Sequence, residues 1–489
     1  MPKGPRFNDT TERFTTRDSL GIEGPTATIQ GELCPVVTTV TQRAFYWIFL
    51  IWNYYDFHVN YNGKKQKESD FDKGFLRKND YFFVLSSLIA KRDTTRLNGV
   101  EKTSQDLSDN RTGPYTRNES YLQIRFGGMQ YYNAGCITLG FITDVSQDGK
   151  TTYEIPRITK ELGVPMGQAF ERVMQNTSYY KNYRLTNDPV PRNVLQEFGE
   201  TVSLNLKGFD ECKQLLRKAL FETPKNSYLN NEKLILSKDY VKYYREHDGY
   251  HPSTLKELRK VLFDVYSPRG KARQIPAELG GIAADWEIVV GRQYFTIAIE
   301  LIWKYMLEQL EGKAPMDAAA WINGCLHSAS WTMDLTRPLS FYIPECNYSF
   351  EAREAMISKG ARGSKDTQMN IETGVRILLS LYNRFSKRSD INGEYLAMGR
   401  DVSLSKLISL VDECAEKPVS EFIAFIMINW IIHKHERTAI EKLYYGRDGF
   451  FFERIDNKYS HKSSMYPDYQ GIRLQQLTQI LKDLDMLGA

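Results

Sequence analysis

Three short constellations in this chain hold residue types able to do chemistry. The first, Trp430-Ile431-Ile432-His433-Lys434-His435-Glu436-Arg437, sets two imidazoles beside a carboxylate and a guanidinium. On a helix, histidines two apart point away from each other and cannot share one metal as histidines four apart can. No His-Glu-x-x-His pattern is present, so His435 reads as a hydrogen-bonded packing residue, with Lys434 and Glu436 on a solvated face. The second, Arg245-Glu246-His247-Asp248-Gly249-Tyr250-His251, spaces Arg and His six apart, as some helical ribonucleases do. Gly249 and Pro252 break the helix that such a pair needs, and Asp-Gly reads as a turn. The third, Gly360-Ala361-Arg362-Gly363-Ser364-Lys365, has the wrong spacing for a phosphate-binding loop. No His-x-Lys phosphodiesterase motif and no Asp…Glu-x-Lys nuclease core accompanies them. The expectation is therefore no catalytic residue, no metal site and no cofactor.

A set suited to binding is better defined. Tyr121 to Leu139 reads as a helix running through Phe141-Ile142 into a hairpin whose turn is Ser146-Gln147-Asp148-Gly149, and Asp-Gly between β-favouring runs is a strong hairpin signal. Helix followed by hairpin is how a winged helix ends. Arg125, Tyr131, Tyr132 and Asn133 would then face a nucleic-acid groove, with Lys150 and Arg157 on or beside the wing meeting phosphates. Ordinary alternatives are a protein-docking winged helix, or a helix and hairpin with neither role. Gly127-Gly128 costs about 1 kcal/mol per glycine relative to alanine, so the helix either breaks there or meets another backbone closely.

The elements that must position these residues are mostly helical. Thr41 to Trp52 is apolar on every face and belongs in a core, and Phe75 to Lys91 carries a helical stripe. Thr94 to Ser120 reads as an exposed loop. Trp286 to Leu310, apolar nearly all round, is the expected spine of a central helical domain. Cys346 to Thr367 looks like a linker, followed by helices at Ile371–Lys387, Leu404–Cys414 and Ser420–Tyr445. A second hairpin turns at Asp456-Asn457, ahead of an amphipathic helix from Arg473 to Leu484. The expected fold class is mainly α and multidomain, with a winged-helix-like module in the N-terminal half, a central helical domain and short β-hairpins. The corresponding division is an N-terminal arm with its buried helix (1–75), the winged-helix-like module (76–192), the central helical domain (193–345) and a C-terminal helical domain with hairpin (346–489).

Composition narrows the setting. At 489 residues, two to four folding units are expected. A net charge of +4 is too small for a dedicated nucleic-acid protein, so DNA contact would rest on local patches. The six cysteines are scattered, as free thiols of a reducing compartment would be. With no apolar signal core at the N-terminus, cytoplasm is the default. The apolar runs Ala44–Tyr55 and Phe422–Ile432 fall short of the roughly 20 residues of a membrane span.

Leu20-Gly21-Ile22, Leu33-Cys34-Pro35 and Thr39-Val40-Thr41-Gln42-Arg43-Ala44-Phe45-Tyr46, closed by Trp52, resemble the N-terminus of an uncharacterised bacterial family. In that family a Leu-Gly-Ile start and a Leu-Phe-Pro-Gly-type turn precede a Thr-x-Arg-Ala-x-Tyr helix ending in Trp. The likeness continues through Leu97-Asn98-Gly99-Val100 and the Gly127 and Leu139-Gly140 neighbourhood, and returns at His435, Ala439, Lys442 and Leu443. Val36 stands where the family has its turn glycine, and Phe45 where it has Arg. Such proteins are encoded in phage-defence and restriction-type loci, beside helicases and nucleases, so the resemblance implies an accessory, non-catalytic part in antiviral defence; taken with the wing-like hairpin, the expected partners are duplex DNA and other defence-system proteins. It carries over no functional residue. Two alternatives stand beside it: an effector nuclease using His435, Glu436 and Arg437 or the Arg245–His251 loop, and a helical scaffold that touches only protein.

Overall fold

A computed structural model describes residues 18–60, 71–122, 127–143, 155–222, 231–247, 249–264, 274–328, 331–361, 368–446 and 448–487. The chain is mainly helical and forms two units, each assembled from two separated stretches. One unit joins Met1–Ile29 to Pro252–Gly471, and the other joins Gln30–His251 to Ile472–Ala489. Among the described residues no helix is long and apolar enough to cross a membrane.

In the unit of Gln30–His251 and Ile472–Ala489, the helix Phe45–Tyr55 is buried along its whole length, as its all-round apolar sequence requires. Phe45, Phe49 and Trp52 pack with Phe83 and Phe170, the closest pair being Phe45 and Phe83 at 4.2 Å between ring centroids. The helix Gly163–Met174 lies so near that a Cβ on Gly167 would sit 2.2 Å from Tyr55 Cγ. Several polar groups buried in this core pair with one another. Asn79 donates to Asn53 at 2.7 Å, and the Tyr179 hydroxyl donates to Asn79 at 2.9 Å. Arg43 joins Asp483 at 3.0 Å, fastening the last helix, Arg473–Asp483, into the unit.

The unit of Met1–Ile29 and Pro252–Gly471 is built on the helix Ala277–Leu310, whose 34 residues span roughly 51 Å at 1.5 Å each. Its main partner is the helix Gln368–Phe385, and a Cβ on Gly374 would lie 2.6 Å from the Ala298 carbonyl oxygen, a gap that only glycine leaves open. The hairpin of Phe452–Ile455 with Lys458–His461 is antiparallel, with Ile455 opposite Lys458. Its turn residues Asp456 and Asn457 have φ of 51° and 60°, the left-handed pair that suits a two-residue hairpin turn.

Several expectations change. Tyr121–Leu139 is not one helix: a turn at Tyr121-Leu122 is followed by a 3-10 segment, Gly127–Tyr132, and the short helix Asn133–Thr138. Close packing requires the break, because Gly128 donates its N–H to buried Asp80 at 3.0 Å, and a Cβ there would meet both Asp80 and Asn98 at 3.0 Å. The presumed loop Thr94–Ser120 contains the helix Val100–Asp109, and the presumed linker Cys346–Thr367 contains the helix Phe350–Ala361.

Candidate functional site

The residues expected at a nucleic-acid groove occupy different environments. Tyr131 is half exposed. Tyr132, by contrast, is removed from any contact surface: it is fully buried, and its hydroxyl accepts the backbone N–H of Gln42 at 2.7 Å and of Arg43 at 3.1 Å. Its ring is in the core because it packs edge-on against Trp47 at 5.6 Å. Asn133 accepts from the Tyr54 hydroxyl at 2.8 Å. Arg125, Lys150 and the Ser146–Gly149 turn lie outside the described residues.

Residues 144–154 of the expected wing lie outside the described residues, and the residues that flank them pair. Ile142 bridges Ile158 antiparallel, Thr143 donates its N–H to the Arg157 carbonyl at 2.8 Å, and Arg157 returns its own N–H to Thr143 Oγ1 at 3.1 Å. The Arg157 guanidinium stands 3.1 Å from His58 Nδ1, and His58 Nε2 is 2.9 Å from the Pro156 carbonyl. One tautomer satisfies both contacts: Nε2–H donates to Pro156 and Nδ1 accepts from Arg157. Arg157 is thus held beside the Ile142–Ile158 bridge, with Lys160 exposed three residues on.

The enzyme-like residues do not converge. His433 is exposed and His435 fully buried, the opposition that their spacing demands. Glu436 is taken by Arg454 at 2.9 Å, and Arg437 by Asp401 at 3.3 Å. Burial, then the positive charges of Arg245 and Lys482, hold the His251 pKa below its ordinary value. All six cysteines are free and buried, and burial pushes thiols such as Cys34 up to about 12, away from nucleophilic thiolate. Among the described residues no group of three or more His, Cys, Asp or Glu is arranged to hold a metal ion.

His435 has an architectural task. Nδ1–H donates to the Ser19 carbonyl at 3.0 Å, and Nε2 accepts the Phe451 N–H at 3.1 Å, so one imidazole clamps the chain's N-terminal stretch to the strand entering the hairpin. Ser19 and Phe451 both line a cavity of about 570 Å³, walled further by the segment 464–470 and floored by Glu300 of the long helix. Asp18, Glu23 and Asp468 add carboxylates to its walls. Tyr469 is fixed in the wall, its hydroxyl donating to Glu354 at 3.1 Å while the Arg259 guanidinium covers its ring at 3.6 Å. Burial first, and then the negative charges of Glu23 and Asp18, raise the Glu300 pKa well above the usual carboxylate range. Sequence reasoning missed this cavity. The available signal was an acid at position 300 inside a helix apolar on every face, where an ionisable group needs a reason.

Comparison of the chain with protein-family models, with curated proteins and with solved structures finds no match.

Proposed function

We propose that this protein is an accessory, non-catalytic component of a bacterial antiviral defence system that holds duplex DNA by its phosphates and works beside other defence proteins. The distribution of charge carries the DNA part. The whole basic surplus of +4 belongs to the unit of Gln30–His251 and Ile472–Ala489, while Lys and Arg balance Asp and Glu in the other. The same stretch of sequence supplies Arg157 and Lys150. Phosphate contacts by scattered lysines and arginines position a duplex without reading its bases, so little sequence preference is expected. The defence part rests on the N-terminal resemblance. The nuclease alternative loses ground, because His435 is enclosed and spent on two backbone groups.

The test is a mobility-shift titration of the purified chain with unrelated duplexes. Binding should be visible at about 50 mM salt and fall steeply by about 200 mM. Changing Lys150 and Arg157 together to alanine should make the slope of log affinity against log salt shallower by about 2, near 0.9 for each lost phosphate contact. The DNA should also stay intact with Mg²⁺ or Mn²⁺ present. Absence of a shift at low salt removes the DNA reading; cleavage that vanishes in a His435→Ala or His251→Ala variant of unchanged thermal stability supports the nuclease.

A further inference from the structure

The cavity floored by Glu300 holds two polar atoms that the fold leaves unused. Glu300 is 5% exposed and its Oε2 has no hydrogen-bond partner among the described residues; Ser19 is also 5% exposed, and among those residues its Oγ has none. Both line the same cavity. The Glu300 carboxyl takes the Asp468 backbone N–H, but no lysine, arginine or histidine among the described residues pairs with it. Lys442 donates its ammonium to the Asp18 carbonyl at 2.6 Å. An unpaired acid at a desolvated floor is costly unless something fills the space and supplies donors.

The chemistry of that missing partner follows from the walls. A carboxylate oxygen and a hydroxyl call for an N–H donor, and the carboxylates of Asp18 and Asp468, which accept the backbone N–H groups of Ile22 and Tyr469 at 2.8 Å, favour positive charge beside them. A bare metal ion is disfavoured, because no three of these acids are arranged to hold one. A volume of about 570 Å³ exceeds what a lone ammonium would fill and admits an alkyl chain beside Phe451. Tyr466, 73% exposed on the cavity wall, offers an aromatic face to a second cationic centre. We propose that this cavity binds an organic polycation through a primary ammonium, which donates to Glu300 Oε2 and Ser19 Oγ while the surrounding carboxylates hold the rest of its charge. The two sources of that chemistry are a free diamine or polyamine and the lysine side chain of a peptide. Because Glu300 sits among like charges in a buried place, cation binding there drives its proton out to solvent.

Isothermal titration calorimetry on the full, nuclease-treated chain tests this with spermidine, putrescine, tetralysine and, at matched ionic strength, magnesium chloride. Each titration is run in two buffers of different ionisation enthalpy. Saturable binding of spermidine or putrescine is expected, with net proton release. Glu300→Gln, which keeps shape and removes charge, should weaken it by about tenfold or more and abolish the proton release. Ser19→Ala and Tyr466→Ala should each weaken it severalfold, and they decide the matter should Glu300→Gln not fold. Tetralysine binding instead, with the same dependence on these variants, assigns the ammonium to a lysine side chain. No saturable binding by any of the three amines, equal affinity in the variants, or equally tight magnesium binding overturns the proposal.

Discussion

The imidazole of His435 should make the folded protein sensitive to mild acid. The ring is fully buried, gives its one hydrogen to the Ser19 carbonyl at 3.0 Å and receives the Phe451 N–H at 3.1 Å. A second proton on Nε2 would face that N–H directly. Burial, with a smaller push from Lys442, outweighs the pull of the Ser19 carbonyl and holds the His435 pKa at about 4 instead of 6.5. The unfolded chain thus takes up its proton near pH 6.5, while the folded chain refuses it until about pH 4. Between those values the unfolded state binds more protons, so stability falls as pH falls. At about 1.4 kcal/mol for each tenfold difference in proton affinity, the gap amounts to about 3 kcal/mol. Urea unfolding followed by tryptophan fluorescence from pH 7.5 to 4.5 should show it, since Trp303 packs on His435 at 5.0 Å. Glu300 and Asp80 also titrate, with the opposite sign, so the informative quantity is the difference between the wild type and His435→Gln. The Gln variant cannot take the proton, and it should close most of its stability deficit as the pH drops to 4.5. Parallel loss of stability in both proteins would refute the reasoning.

Four further outcomes follow from the packing. Trp303→Ala should cost about 3–5 kcal/mol in chemical denaturation, because the ring is fully enclosed between Trp321, His435 and Phe452. Arg259→Met should cost about 3–5 kcal/mol by stranding Glu354, which is 4% exposed and held by Arg259 at 3.2 Å, whereas adding Glu354→Gln should recover much of that loss in a double-mutant cycle. Gly167→Ala should lower stability by about 3 kcal/mol, because its Cβ would overlap the Tyr55 ring, and a melting temperature unchanged from wild type would contradict that packing. Asp80, fully enclosed, has its pKa raised by burial to about 7 against 3.8. Its neutral form therefore stabilises the fold below pH 4, and that contribution is lost as pH rises through 7, a trend that Asp80→Asn should flatten in the same unfolding series.

How far the sequence discloses this molecule depends on whether a segment's burial is apolar. Phe45–Tyr55 and Ala277–Leu310 are legible because their residues are greasy on all sides, and the hairpin at Asp456-Asn457 because those two residues tolerate positive φ. Val100–Asp109 is not legible, since Thr103 is the residue it buries and the rest is polar. Phe350–Ala361 is masked for a different reason: Arg353 and Glu354 stand buried among Phe350 and Ile357, so charged letters interrupt its stripe. The assembly of each unit from two stretches far apart in sequence is a tertiary matter that local pattern does not encode. The same holds for the Glu300 cavity, whose walls come from an N-terminal stretch, one turn of a long helix and the 464–470 segment. For the residues expected at a nucleic-acid groove, type is legible but exposure is not: Tyr132 lies fully buried.

The most direct test of the DNA-holding account is photo-crosslinking of the full chain to a duplex carrying phosphate-proximal probes, with the attached peptides identified by mass spectrometry at low salt. The account predicts attachment within Gln30–His251, concentrated around Lys150 to Lys160, and its loss as salt rises. Attachment mapping to Pro252–Gly471, or no attachment at low salt, would contradict it.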